Sequence, residues 1–419
     1  MIKSSVKPEE LNKLNTGLSL ILDKENYKFS TSLNIYETLS GSESDRYQYN
    51  IPSYSFSTDL TNKYFDGLIG FSTSGSNVLD NTNRLKTRIN NNLNISSLEY
   101  FSNLGFKNSF NIFFKNLNTV AKNHNDYKSS PQSQLMSIFQ FRSNFPLEKF
   151  TENYEETILP SLAFRINPGH MKSLRNRNVN VDNIFSLNRL GIDEAFEEGK
   201  SLTLGLNYRK NKKIDYSEVP DEVKDKIRNK ELDEIERYFE IKLAGVLRDV
   251  EENKISSATT LNRKASNLFG SITNKLNDNL ELDYNFSIDN DLSTFENNDI
   301  TLKFSVNNLI STFGFSEANG EMGDSNVIGN ETLLKINDNN YFTFSTRRNR
   351  KINLTEYYNL VYEYKNDCLT AGVKYKKTYY SDRDAKPTED LMFTLTLFPL
   401  TTLEQKVEQS FYRDNDLFN

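Results

Sequence analysis

The sequence predicts an all-β chain, a large antiparallel transmembrane β-barrel with roughly twenty strands, many about as long as a tilted bilayer crossing. Three observations predict it. The first is period-two alternation across 354–399: Tyr358, Leu360, Tyr362 and Tyr364 alternate with Asn359, Val361 and Glu363. Leu369, Ala371, Val373 and Tyr375 alternate with Thr370, Gly372 and Lys374, and Phe393, Leu395 and Leu397 with Thr394 and Thr396. Alternation of this kind sets one strand face in an apolar medium and the other in water. The second is composition. Only 36% of the 419 residues are hydrophobic, yet there are 29 Phe and 22 Tyr, and mean hydropathy is -0.65. A hydrophilic lumen, an apolar outer wall and aromatic boundary rings need that mixture. A coding bias toward Asn, Lys, Ile, Phe and Tyr produces it too, so alternation carries more weight than composition. The third is the turn-forming clusters between strands, such as Asn277-Asp278-Asn279 and Asn337-Asp338-Asn339-Asn340.

In chain order, 18–22 and 27–39 form the first pair, and 45–58, 64–74, 84–96 and 109–116 follow. Segment 136–144 sets Gln140 and Arg142 against Phe139 and Phe141. Strands at 157–167 and 181–187 carry the middle. In 201–209, Leu202, Leu204, Leu206 and Tyr208 share one side, with Thr203, Gly205 and Asn207 on the other. The pattern returns at Leu282–Ile288, Leu302–Val306 and 341–345. One segment breaks it. Residues 217–239 are highly charged, begin near Pro220, and space Val223, Ile227, Leu232 and Ile235 at helical intervals. They read as a short helix in a loop. Residues 317–330 and 381–388 read as loops. No linker composition marks a domain boundary.

Several functions are excluded. A net charge of -6 gives no basic field for nucleic acid. Two His and one Cys leave no set of transition-metal ligands. No catalytic constellation, phosphate-cradling loop, cofactor site or metal site is visible, and no enzymatic activity is expected. Arg347, Arg348 and Arg350 cluster after a strand, either as contacts for anionic lipid phosphate or as a solvated strand end. Arg165, Arg175, Arg177 and Arg189 form a looser basic region with the same two readings. Pro52, Pro160 and Pro399 remove ladder donors and should mark edges, bulges or strand ends.

From 45–57, DRYQYNIPSYSFS, the chain resembles the LptD family of lipopolysaccharide-assembly outer-membrane proteins, once called organic solvent tolerance proteins. The resemblance continues at ILPSLAFRINPGHM (158–171) and NIFSLNRLGIDEAFEEGKSLTLGLNYR (183–209), and is strongest over 356–400. It implies a Gram-negative outer-membrane translocon that releases lipopolysaccharide through a lateral barrel opening. The implied partners are lipopolysaccharide, an LptE-like lipoprotein plug and an LptA-like periplasmic bridge protein, with no nucleic acid. With no signal peptide visible, the chain reads as a C-terminal piece: barrel over 1–400, incomplete at its N-terminal side, and a polar tail over 401–419. One lip of the gate falls at Leu391, Phe393, Leu395, Leu397 and Pro399, and Arg347, Arg348 and Arg350 meet lipopolysaccharide phosphate. Cys368 becomes half of a disulfide, although Asp367-Cys368 stands where well-known relatives carry two adjacent cysteines. The alternative is a general outer-membrane porin or receptor barrel without lateral lipid release. A β-solenoid binding module would need a fixed repeat, and none is present.

Overall fold

The computed structural model describes residues 13–39, 46–60, 66–80, 83–125, 127–169, 171, 179–191, 196–214, 219, 221–228, 236–277, 279–379, 388–397 and 401–407. Its strands are β1 (Lys13–Lys24), β2 (Tyr27–Thr38), β3 (Tyr47–Leu60), β4 (Gly67–Asp80), β5 (Arg84–Ser97), β6 (Tyr100–Phe101), β7 (Lys107–Lys122) and β8 (Gln132–Asn144). β9 (Leu147–Phe150), β10 (Tyr154–Asn167), β11 (Gly199–Lys212), β12 (Tyr238–Arg248), β13 (Leu268–Asn277), β14 (Leu280–Ile288) and β15 (Phe295–Val306) follow. β16 (Leu309–Ala318), β17 (Ser325–Asn337), β18 (Asn340–Asn349), β19 (Leu354–Lys365), β20 (Leu369–Thr378), β21 (Glu389–Leu397) and β22 (Thr401–Val407) complete the wall.

All lie in one 22-stranded sheet in which every pairing is antiparallel. Two of these strands are continuations of others. β5 and β6 run along the same partner, β7, and β8 and β9 along β10. Removing these 2 from 22 leaves 20 staves. Among the described residues β1 pairs only with β2 and β22 only with β21, so the sheet has two free edges.

Proline explains one interruption. Pro146 separates β8 from β9, and Pro160 of β10 faces that gap, where the Phe145 amide donates to the Pro160 carbonyl at 2.9 Å. The ladder is interrupted there without a change of register, because Asn144 opposite Ser161 and Leu147 opposite Ile158 keep the same pairing. Pro52 sits at a register shift, between Asn50 and Ser53. Pro399 lies outside the described residues.

The strands keep the predicted faces. Leu202, Leu204, Leu206 and Tyr208 pair with Leu247, Gly245, Leu243 and Ile241 on one face. Tyr358, Leu360 and Tyr362 continue through Lys377, Tyr375 and Val373 to Glu389, Leu391 and Phe393. Leu204 stays 44% exposed and Phe393 45%. An apolar face this extensive and this open is matched by lipid rather than water.

The two ends of the sheet differ. One carries two-residue turns at Asn307-Asn308 and Asp338-Asn339, where Asn307 takes φ 50° and the Asn339 amide donates to Asn337 Oδ1 at 3.0 Å. Asparagine tolerates that left-handed backbone better than most residues, which is why it recurs in such turns. That same end also carries the long 213–237 connection that holds α1 (Asp221–Arg228), and the other end carries the long loops 168–198 and 249–267.

Four expectations change. The strand expected at 181–187 is a run of turns. The loop expected over 317–330 ends at Ser325, where β17 begins. Of the helix expected over 217–239, the described residues include α1, while the far end from Tyr238 is already β12. The polar tail expected from 401 starts as β22, because Thr401, Leu403, Gln405 and Val407 hydrogen-bond in register along β21.

Candidate inner-face site

The described parts of loop 168–198 fold back onto the polar face of the sheet as a strap. Val179, Val181, Ile184, Leu190 and Phe196 pack with Ile255 and Leu261 of loop 249–267. Both loops rest on inward side chains: Leu117 of β7, Met136 and Ile138 of β8, Ala244 and Val246 of β12, and Phe269 of β13. These inward positions are apolar where the strap lies, against the usual polarity of a lumen wall. Phe196 meets Phe113 edge-on, with ring centroids 5.1 Å apart. Phe185 lies against Gly205 of β11, where an added Cβ would come within 2.7 Å of the ring. Gln140 donates to the Phe185 carbonyl at 3.0 Å, fixing the strap to β8 as well.

A buried ion cluster sits beneath the strap. Glu197 is 4% exposed and Arg189 0%. Arg189 grips Glu197 in a two-point fork, Nε to Oε2 at 2.6 Å and Nη2 to Oε1 at 2.5 Å. Arg165 Nη1 donates to Oε2 at 3.0 Å, and Arg248 Nη1 donates to Oε1. Several of the remaining donors are used too, although Arg165 Nε and Arg248 Nε are buried without a hydrogen-bond partner among the described residues. Arg189 reaches Thr203 Oγ1 at 2.9 Å and Ser201 Oγ at 3.0 Å. Arg165 donates to the Ser186 carbonyl and Arg248 to that of Glu198. Asn167 donates to the carbonyls of Phe196 and Glu197, at 3.2 and 3.1 Å. Burial alone would raise the Glu197 carboxyl, but Arg189, with Arg165 and Arg248, overcomes it and holds Glu197 down to about 2. A carboxylate kept charged this way ties three strands, β10, β11 and β12, to the strap.

Farther round the sheet no described residue of either loop lies over the inner face. Gly314 of β16 and Gly329 of β17 stand opposite each other. Around them lies a hollow of about 410 Å³, with Asp299, Thr312, Glu331, Ser345, Arg347 and Tyr357 in its lining.

The singled-out residues disperse. Arg347 points inward and pairs with Glu356 at 2.9 Å. Arg348 bonds Asn353 in the β18–β19 turn, and Arg350 lies over the Phe315 ring at 5.9 Å. They do not converge on one point. Arg165 and Arg189 converge on Glu197 instead, and Arg175 and Arg177 lie outside the described residues. Cys368 is exposed in the β19–β20 turn at the short-turn end. Leu391, Phe393, Leu395 and Leu397, expected at a free edge, lie in β21 between β20 and β22. Sequence reasoning missed Glu197 and Arg248. The one available signal was that Arg248, like Arg165, occupies an inward position at the end of a strand.

No family model matches the chain, and no curated protein matches it. The solved structures it is similar to include the ferric-catecholate import receptor Fiu from E. coli K12, at 10% identity and TM-score 0.35, over 91% of this chain and 73% of that one. The siderophore receptor PirA from Pseudomonas aeruginosa matches at 9% identity and TM-score 0.40, over 91% and 68%. The FrpB iron transporter from Neisseria meningitidis matches at 9% and 0.34, over 93% and 73%. Likeness this distant carries no argument about cargo. The expected membership of the LptD family is corrected by these findings. Lipopolysaccharide, the LptE-like plug and the LptA-like bridge fall with it as partners. The quoted blocks largely follow strand segments, and alternating rings and leucines belong to any lipid-facing strand, so the resemblance followed the wall common to such proteins. The chain is a large antiparallel β-barrel protein of the Gram-negative outer membrane.

Proposed function

We propose that the chain forms the wall of a receptor or channel barrel that admits polar solutes across the outer membrane, its passage narrowed by its own strap. One observation carries this reading: the inner face is divided between a part sealed by an ion-locked strap and a part left open and polar. A wall that only anchored a partner in the membrane would need neither a polar interior nor an internal constriction. Glu197 is the natural release point. Removing its charge leaves three guanidiniums facing one another without a counter-ion, which favours lifting the strap into water.

Reconstitution in planar lipid bilayers tests it. The 419-residue chain should give small, discrete conductance steps, and Glu197→Gln should give larger ones. Heat-modifiable gel migration checks that both forms are folded. Two folded preparations that leave the bilayer as insulating as protein-free lipid would overturn the proposal.

A further inference from the structure

No described residue of the strap lines the hollow beside Gly314 and Gly329. At the central level of the wall the inward positions run Thr301, Gly314, Gly329, Arg347 and Tyr357 across β15 to β19. Two adjacent strands therefore lack a side chain at the same height. A Cβ added to Gly314 would meet nothing within 4 Å, and one on Gly329 only the Thr346 carbonyl at 3.6 Å. The space is not there to seat a neighbouring ring, as it is at Gly205. Its volume, about 410 Å³, falls within the range of small-molecule sites.

Charge decides what it takes. Asp299 lies on one flank of the glycine pair, in line with Ser316 and Val327, and Glu331 on the other, opposite Thr312. Among the described residues neither carboxylate is in an ion pair or a side-chain hydrogen bond. Arg347 does not offset them, because Glu356 already holds it. The hollow thus carries two uncompensated negative charges. Two strand spacings and four residues of rise set them about 16 Å apart at Cα. Tyr357 adds a ring face that attracts cations.

We propose that this hollow binds an elongated organic cation, a solute with amines toward both ends. Each ammonium group donates to one carboxylate, and the chain between them lies over the two glycines. An anion would be repelled at both ends, and a neutral solute would leave both charges unmatched. A bare metal ion would leave most of the space empty, and no cluster of three metal-ligating side chains occurs among the described residues. The inference rests on the proposed channel only in needing a water-filled interior.

Calorimetric titration of the detergent-refolded chain with spermidine is the test. Binding should saturate, weaken as salt rises, and weaken roughly tenfold or more in Asp299→Asn/Glu331→Gln, the scale of a lost charged hydrogen bond. Gly314→Leu, which fills the space and keeps both carboxylates, should weaken it comparably. Heat-modifiable migration confirms that each variant folds. Absent binding, equal binding by all three proteins, or calcium binding at the carboxylates without spermidine binding would each overturn the proposal. Conductance on the same preparations separates the two readings. A conducting barrel whose spermidine binding ignores the variants loses the site and keeps the channel. A barrel that binds as expected but never conducts keeps the site and loses the channel.

Discussion

Where the strap crosses β7 to β13 the inward face is covered, whereas along β15 to β19 equivalent positions face open space. The strands are of similar length and pairing, so the ladder does not make the difference. Loop length and inward side-chain size do. The covered part is served by loops 168–198 and 249–267, and it presents Leu117, Met136, Ile138, Val246 and Phe269 for them to cover. The open part is joined at the same end by the shorter connections 289–294, 319–324 and 350–353, and presents Thr301, Gly314, Gly329 and Ser345. Connection 319–324 touches the covered core through Met322, and the wall of the open part offers little apolar area to reward a deeper fold. A single glycine makes the same contrast in miniature: Gly205 is a seat for Phe185, while Gly314 has only space above it.

Three experiments would break or sharpen this comparison. The largest effect is expected from Glu197→Ala. Leaving buried guanidiniums without their carboxylate should cost about 3–5 kcal/mol, read as a fall in the temperature at which folded-barrel gel migration is lost. Asp299→Ala on the open side should leave that temperature unchanged. Equal falls at both sites would erase the distinction between sealed and open wall.

Acid gives the next effect. Glu197 is held at about 2, below its ordinary 4.5, so the folded state binds its proton more weakly than the unfolded chain does. Its contribution is complete above about pH 4.5, declines as pH falls through that window, and is gone below about pH 2, roughly 3 kcal/mol in all. The protection factor of strap amides such as Ile184, which donates to the Asn180 carbonyl at 3.0 Å, should be high at pH 5 and fall toward pH 2 once the intrinsic slowing of exchange in acid is divided out. Exchange that is already fast at pH 5 would mean the lock does not hold.

The smallest effect is expected from alanine at the two glycines. Gly205→Ala drives a methyl into Phe185 and should cost about 1–3 kcal/mol. Gly314→Ala meets nothing and should be neutral or slightly stabilising through the unfolded chain. Chemical denaturation in detergent compares the two directly.

Much of the wall was legible because a strand's two faces are a local property. Alternation at Leu202 to Tyr208 and at Tyr358 to Tyr364 assigns each residue a side without reference to anything distant. Asparagine pairs marked the tight turns for the same reason: the left-handed backbone is a demand of the turn itself. Where several residues competed, the reading slipped. Residues 181–187 alternate like a strand yet have no strand beside them to pair with, and become a packed turn inside the barrel. Residues from 401 look polar, yet β21 offers them an unpaired edge. Nor could alternation say which protein family the wall serves, since any lipid-facing strand carries the same signature.

The sequence by itself determined the sheet, the side on which each side chain falls, and an apolar medium around the outside, because all of these follow from neighbours along the chain. Only the tertiary structure decided that Glu197 would be held by Arg165, Arg189 and Arg248. It alone decided, too, that Gly314 and Gly329 would meet at one height. Both depend on register and on where a long loop comes to rest. Those are set by long-range packing, in which an arginine's partner is whatever the fold brings within about 3 Å of it.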